Sequence, residues 1–344
     1  MNALDASQSR GRRVPIAAWP SLLSLDAVFV AVVWQQLLMQ SFCDRPSTWS
    51  EMISLSLSVW LIYVADRLLD ATQLNLAQPH TLRHGFYRHH RRLFLGMWIA
   101  MLALNAFVVV RYLPAALLRS GLLLGAAVLA YGASVHFSAN RSHNRAAEPL
   151  PKSRSRWVYL PKEVRVGILF ALGVSLSVWT QLSVDQQNLA MTATGWREVD
   201  SREMQFGGGP PSFVMAAATC AIAILFSCNC VLVARFERAI DRAQSFPSIA
   251  TSWHCRKLTS AKSMGKGELV IAMFALSMGL LLRLPVSLVL AMLASGIGLT
   301  VSLLLPNSPW TASVPFSSPA TFDIRSVWVD AVLWTPPLVT LCFT

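Results

Sequence analysis

The chain has 344 residues, of which 54% are hydrophobic and 13% charged, where an ordinary soluble domain carries about 25% charged residues. This composition excludes a water-soluble globular protein and describes an all-α polytopic membrane protein. The net charge of +12 would suit nucleic acid, but its placement in alternate loops makes it a topology signal and excludes that partner.

About nine apolar segments reach the ~20 residues that a bilayer crossing requires, near 18–41, 50–69, 93–112, 115–137, 164–183, 213–235, 268–283, 285–305 and 326–343. Arg10, Arg12 and Arg13 precede the first, and Arg83, Arg88, Arg91 and Arg92 follow the second. Further basic runs follow the fourth segment (Arg141 to Arg165) and the sixth (Arg235 to Lys266). The positive-inside rule then predicts a cytoplasmic N-terminus and an outside C-terminus, in a cytoplasmic membrane of bacterial type. The first apolar run is too long for a signal peptide and is expected to stay as a membrane helix. Of the 6 cysteines, Cys220, Cys228, Cys230 and Cys342 lie within apolar segments, where a thiol acts as a small hydrophobe, so no disulfide framework is implied.

In chain order, residues 1–17 form a cytoplasmic tail and 18–343 a single transmembrane domain. Its first half is 18–137, a basic loop covers 138–163, the second half is 164–305 and a last helix is 326–343. The first segment carries Asp26, followed by Gln35 and Gln36, in an apolar setting. An ionisable side chain at membrane depth is a functional candidate, although a bond to a neighbouring helix would also explain it. The second segment ends in Asp66-Arg67-Leu68-Leu69-Asp70. Acids are misplaced at a helix C-terminus, where the dipole favours cations, so a cation is expected beside them. The run from His80 to Arg92 reads as facing anions or lipid headgroups. A tight turn at Arg111 to Pro114 joins the third and fourth segments as antiparallel neighbours, and Tyr131 lies near the end of the fourth. Pro161 opens the fifth, with Lys162 and Arg165 at a helix N-terminus suited to anions. Val184 to Pro211 reads as a flexible outer loop. The sixth segment carries Asn229 and leads into Glu237-Arg238-Ala239-Ile240-Asp241. Segments seven and eight form a hairpin around Leu284-Pro285. The last segment carries Asp330 and is expected at the edge of the bundle.

The two acidic stretches share one pattern: acid, Arg, two apolar residues, Asp, two residues, Gln, ending at Gln73 and Gln244. On a helix the i, i+4 carboxylates share a face, about 5–6 Å apart at Cβ. Both follow helices running in the same direction, which predicts two parallel four-helix repeats plus a last helix, an arrangement also used by transporters. Carboxylates gathered at one cavity repel unless they protonate or a cation joins them. Magnesium is the natural candidate, being an oxygen-seeking ion that bridges carboxylates to substrate phosphates.

With Ile62-Tyr63-Val64-Ala65-Asp66-Arg67-Leu68-Leu69-Asp70 at the end of the second segment, and Glu237 and Asp241 after the sixth, the chain resembles the UbiA superfamily of intramembrane prenyltransferases. The family's first motif is N-D-x-x-D-R-x-x-D. Ile62 and Tyr63 stand where that motif has Asn and its first Asp, and the family's basic pair after the fourth helix is absent. The resemblance implies that Asp66, Asp70, Glu237 and Asp241 hold magnesium and form the catalytic centre. It further implies that Arg67, Lys162 and Arg165 assist with the diphosphate, and that Asp26, Tyr131 and Asn229 line the substrate pocket. The implied partners are a polyprenyl diphosphate, a membrane-soluble or aromatic acceptor, and the lipid bilayer. The rival readings are a transporter, or a lipid-binding or scaffold protein without catalysis.

Overall fold

The structure, a computed structural model, describes residues 16–75, 77–143, 161–193, 211–244, 248, 284–305, 309–312 and 320–343. A short 3-10 turn leads into α1 (Trp19–Leu22), and α2 (Leu25–Cys43) follows after a break. Ser24 makes that break with a left-handed backbone (φ 55), and its hydroxyl is pinned to Tyr87 at 3.1 Å. The next helix, α3 (Trp49–Gln73), starts at a capping box: Glu51 N–H donates to the Thr48 hydroxyl at 3.3 Å, and Thr48 N–H donates back to the Glu51 carboxylate at 2.7 Å. Then come β1 (His80–Thr81), α4 (Leu82–His89), α5 (Arg91–Tyr112), α6 (Ala115–His143), α7 (Lys162–Ala193), α8 (Pro211–Phe236) and α9 (Arg238–Gln244). The chain finishes with α10 (Val286–Ser302), β2 (Pro309–Ala312), β3 (Ala320–Asp323) and α11 (Ile324–Phe343).

Among the described residues, 7 helices are long and apolar enough to cross a membrane, namely α2, α3, α5, α6, α7, α8 and α11, and α10 is a shorter apolar helix. Their surfaces make the membrane assignment physical. Only 11% of the apolar window of α5 and 6% of that of α6 is buried in the protein, leaving Phe107, Val110, Leu122, Leu123 and Leu129 bare. Apolar faces of that extent are tenable in lipid and not in water. The molecule is an all-α polytopic integral membrane protein.

The main core joins α2, α7, α8, α10 and α11 around Trp34, Leu37, Met215, Ile222, Leu288 and Val329. A second core joins α3, α4 and α5 around Trp60, Val64, Tyr87 and Phe94. Two glycines set close helix approaches: a side chain on Gly167 would collide with Ser227 of α8, and one on Gly298 with Val332 of α11.

Several sequence expectations are revised. The segment 268–283 and most of the basic loop 138–163 lie outside the described residues, while residues 138–143 continue α6. The expected outer loop from Val184 begins as helix, because α7 runs on to Ala193. Helix α11 is not at the edge: it packs on α10, α2 and α8, and Trp34 donates its indole N–H to Leu333 O at 2.8 Å. The third and fourth segments do not pack as a hairpin; α5 lies along α3 and α6 along α7, so they splay from their shared turn. A three-stranded sheet was not anticipated. In it β1 pairs parallel with β3, and β3 pairs antiparallel with β2. The strand after α3 is thereby tied to the strand before α11, at the end of the bundle that carries both acidic motifs.

Candidate substrate site at the two acidic motifs

The fold brings the two motifs together. Arg83 of α4 forms a salt bridge with Glu237 while its other guanidinium nitrogen lies 3.5 Å from Ser21 Oγ. His84 Nε2 stands 3.6 Å from Asp70. Arg67 is within electrostatic range of Asp66, Glu237, Asp70 and Asp26, and Asp241 is within range of Glu237, Lys162 and His84. Asp66 is exposed at the mouth of the site. Gln244 closes the arrangement: its amide donates to the carbonyls of Asn75 (2.9 Å), Gln78 (3.3 Å) and Pro79 (3.1 Å), and its oxygen accepts from Asn75 N–H at 3.0 Å. The last residue of the second motif thus holds the chain that leaves the first.

The electrostatics of the second motif are divided. Burial alone would raise the Glu237 carboxyl, but Arg83, Arg67 and His84 outweigh it and hold Glu237 below its ordinary value. Asp241 is pushed up to about 6, by burial first and by the neighbouring Glu237 second. At the first motif, Arg88 donates to Ala71 O at 2.9 Å. The cation required by the C-terminus of α3 is therefore partly the protein's own.

Arg83 and His84 face the acidic motifs, a role that their place in a basic run does not suggest. The run from His80 to Arg92 was expected to face anions or headgroups. Instead it folds as β1 and α4, and helical periodicity turns Arg83 (8% exposed) and His84 (3% exposed) inward while Arg88 and His89 face out. The usable signal was the spacing: Arg83, His84 and Tyr87 fall on one face of a helix.

Deeper in the bundle, Asn229 of α8 donates to Asp330 of α11 at 3.0 Å, and Asp26 in the first turn of α2 interacts with the same carboxyl. Three helices thus meet at one polar cluster. Tyr63 lies within its electrostatic range and also within that of Arg67. Asp26 sits near the N-terminus of α2, where the helix dipole favours an acid.

The splay of α5 from α6 leaves a cavity of about 330 Å³ bounded by α3, α5, α6 and α7, with Gln35 of α2 in its wall. Gly121, Gly125 and Gly173 contribute to its width, and no atom lies within 4 Å of where a Gly125 Cβ would be. Glu51 lines one end and Tyr63 lies further along the same helix, so the groove follows α3 for about 18 Å at 1.5 Å per residue. Near the motif end stands Tyr131, with the Arg165 guanidinium 5.1 Å from its ring centre and Asp66 in electrostatic range. The Tyr131 hydroxyl lies 3.5 Å from Lys162 O, which connects this end of the cavity to the start of α7. Ile62 and Tyr63 form cavity wall.

Among the described residues, no three His, Cys, Asp or Glu side chains form a metal-binding group. The donor chemistry still fits magnesium in part, since that ion commonly takes one or two protein carboxylates and completes its shell with water and phosphate oxygens. Asp66 and Asp70 share an i, i+4 face of α3, whereas Glu237 is engaged by Arg83. Compared with known protein families, with curated proteins and with solved structures, the chain finds no match in any of the three.

Proposed function

We propose that the protein is an integral membrane prenyltransferase-like enzyme that transfers a polyprenyl group from its diphosphate to a membrane-soluble or aromatic acceptor. One observation carries the reading: an apolar groove at membrane depth runs up to a polar mouth bearing both signs of charge. A polyprenyl diphosphate has the same two parts. Its chain suits the groove, and its anionic head suits Lys162, Arg165 and Arg67. Asp66 and Asp70 are the carboxylates best suited to hold magnesium, with Glu237 and Asp241 on the facing motif. The ion, when bound, neutralises charge on the departing diphosphate. Tyr131, which lines the groove beside Arg165, supplies the aromatic face that stabilises positive charge on the allylic carbon in this reading. Asp26 and Asn229, expected in the substrate pocket, are engaged with Asp330 and do not line the cavity.

The same proposal includes nine crossings in two parallel four-helix repeats plus a last helix, a cytoplasmic N-terminus, an outside C-terminus and a bacterial cytoplasmic membrane. The approach of α3 and α8 to one end of the bundle supports it, as does the apolar composition of 268–283. The deciding experiment is magnesium-dependent binding of polyprenyl diphosphates to the purified protein, beside an Asp66→Asn/Asp241→Asn double variant. Binding that needs both metal and acids is the expected result; binding indifferent to both ends the transferase reading.

A second reading, lipid binding or transport without catalysis, is favoured by the salt bridge that engages Glu237 and by the intramembrane Asp26–Asn229–Asp330 cluster, since such residues mark ion pathways. Ligand movement across vesicles without magnesium or diphosphate release would select it.

A further inference from the structure

The cavity has a second polar feature between the α2–α3 turn and its mid-length, away from the motifs. Gln35 is 2% exposed and lies in the cavity wall. Its Nε2 donates to Ser177 Oγ at 3.0 Å, and its Oε1 has no hydrogen-bond partner among the described residues. Asn105 of α5 repeats the arrangement: Nδ2 donates to Ser58 Oγ at 3.0 Å, and its buried Oδ1 is again unmatched among the described residues. Two amide side chains from different helices are each anchored through nitrogen, and each leaves a carbonyl oxygen in the wall of the same cavity. A buried acceptor without a donor is costly, so this pattern is explained by a ligand that supplies donors.

The surroundings narrow the ligand class. Towards the turn, Arg45 pairs with Glu51 through two contacts of 3.2 Å, and Asp44 and Asp185 add further negative charge, so an anionic head gains nothing here. Ser58 is eight residues before Asp66 on α3, about 12 Å along the helix, so this place is distinct from the motif mouth. The walls between are apolar side chains such as Val59, Leu117, Leu118 and Phe170.

We propose that this stretch of the cavity is a separate binding subsite for an uncharged amphiphile, an alcohol or phenol carried on an apolar chain, whose O–H donates to Gln35 Oε1, with Asn105 Oδ1 as a second acceptor for a ligand that carries two hydroxyls. The subsite needs neither metal nor diphosphate, so it goes beyond the transferase reading and stands or falls independently of it.

The test compares saturable binding of tritiated farnesol, farnesyl methyl ether and farnesylacetone to the full-length protein in nanodiscs without magnesium, with empty nanodiscs subtracted. These probes share a chain and differ in whether the head can donate. Farnesol is expected to bind about tenfold more tightly than the ether, the effect of one matched buried hydrogen bond. Gln35→Leu should cut that preference to about twofold. Gly125→Phe, which places a ring in open space, should block all three probes. Equal binding of alcohol and ether overturns the proposal, as does a preference for farnesylacetone, which only accepts. An unchanged preference in Gln35→Leu overturns the role of that residue, and undiminished binding in Gly125→Phe overturns the cavity as the location. Should Gln35→Leu fail to fold, the wild-type comparison of alcohol with ether decides the matter by itself. Failure of diphosphate binding in the preceding experiment leaves this result untouched.

Discussion

The two acidic motifs share a sequence pattern and differ in what the fold does with it. The first, Asp66 to Gln73, stays within one continuous helix, with Asp66 and Gln73 exposed and Asp70 facing His84. The second, Glu237 to Gln244, is divided between the end of α8 and α9, with Asp241 and Gln244 buried and Glu237 in a salt bridge with Arg83. The open copy retains carboxylates that a ligand can reach, whereas the closed copy uses its groups to hold the structure. A repeated motif is therefore a repeated set of side chains, and the burial around each copy assigns the work.

The sharpest break in this comparison is charge reversal at the open copy. Asp70→Lys is expected to lower magnesium-dependent diphosphate binding by about a hundredfold, with helices still inserted, since it puts a positive charge on the face proposed for the metal. Glu237→Gln should cost that binding far less, because its carboxylate is already engaged; equal losses in the binding assay would erase the distinction.

Next in size is the salt bridge of the closed copy. Arg83→Ala removes the hydrogen-bonded partner of the half-buried Glu237 carboxylate, leaving only Arg67 and His84 nearby, and is expected to cost about 3 kcal/mol in a denaturation assay. Arg83→Met combined with Glu237→Met should recover most of that loss, because an apolar pair replaces a buried ion pair at little cost.

Replacing the matching glutamines gives a direct contrast. Gln244→Ala removes the clasp on Asn75, Gln78 and Pro79 and should cost about 2 kcal/mol, whereas Gln73→Ala should stay within about 0.5 kcal/mol. Similar thermal midpoints for the two variants would contradict the open and closed assignment.

The smallest effect is in the pH profile. The Asp241 carboxyl is raised from 3.8 to about 6, so the folded protein holds a proton that the unfolded chain has released within that window. Its stabilising contribution is full below the lower value and is lost as pH rises through the upper one. Thermal midpoints between about pH 4 and pH 7 should carry a downward component that Asp241→Asn removes. A slope unchanged in that variant would place Asp241 in solvent.

Much of the frame was legible in the chain. Apolar runs located α5 (93–112) and α8 (213–235) to within two residues at either end, because lipid and core both select the same residue types, whereas α7 runs ten residues past the end of its apolar run. The candidate acids Asp66, Asp70, Glu237 and Asp241 were found from spacing alone. Arg83 and His84 were not, because a basic run beside a membrane segment reads the same whether it faces headgroups or carboxylates. Asp330 was placed at an edge for a similar reason: an apolar last helix carries no mark of which neighbours it will meet.

The sequence by itself determined a polytopic helical membrane protein with two acidic motifs after apolar helices, because composition and helical period are local properties. Only the tertiary structure decided that Arg83 engages Glu237, that Asp26 and Asp330 share one cluster, and that α5 and α6 part to form a cavity. Those are contacts between helices far apart in the chain, and they depend on which faces pack together, on small residues such as Gly167 and Gly298 that let helices approach, and on splayed helices that leave space.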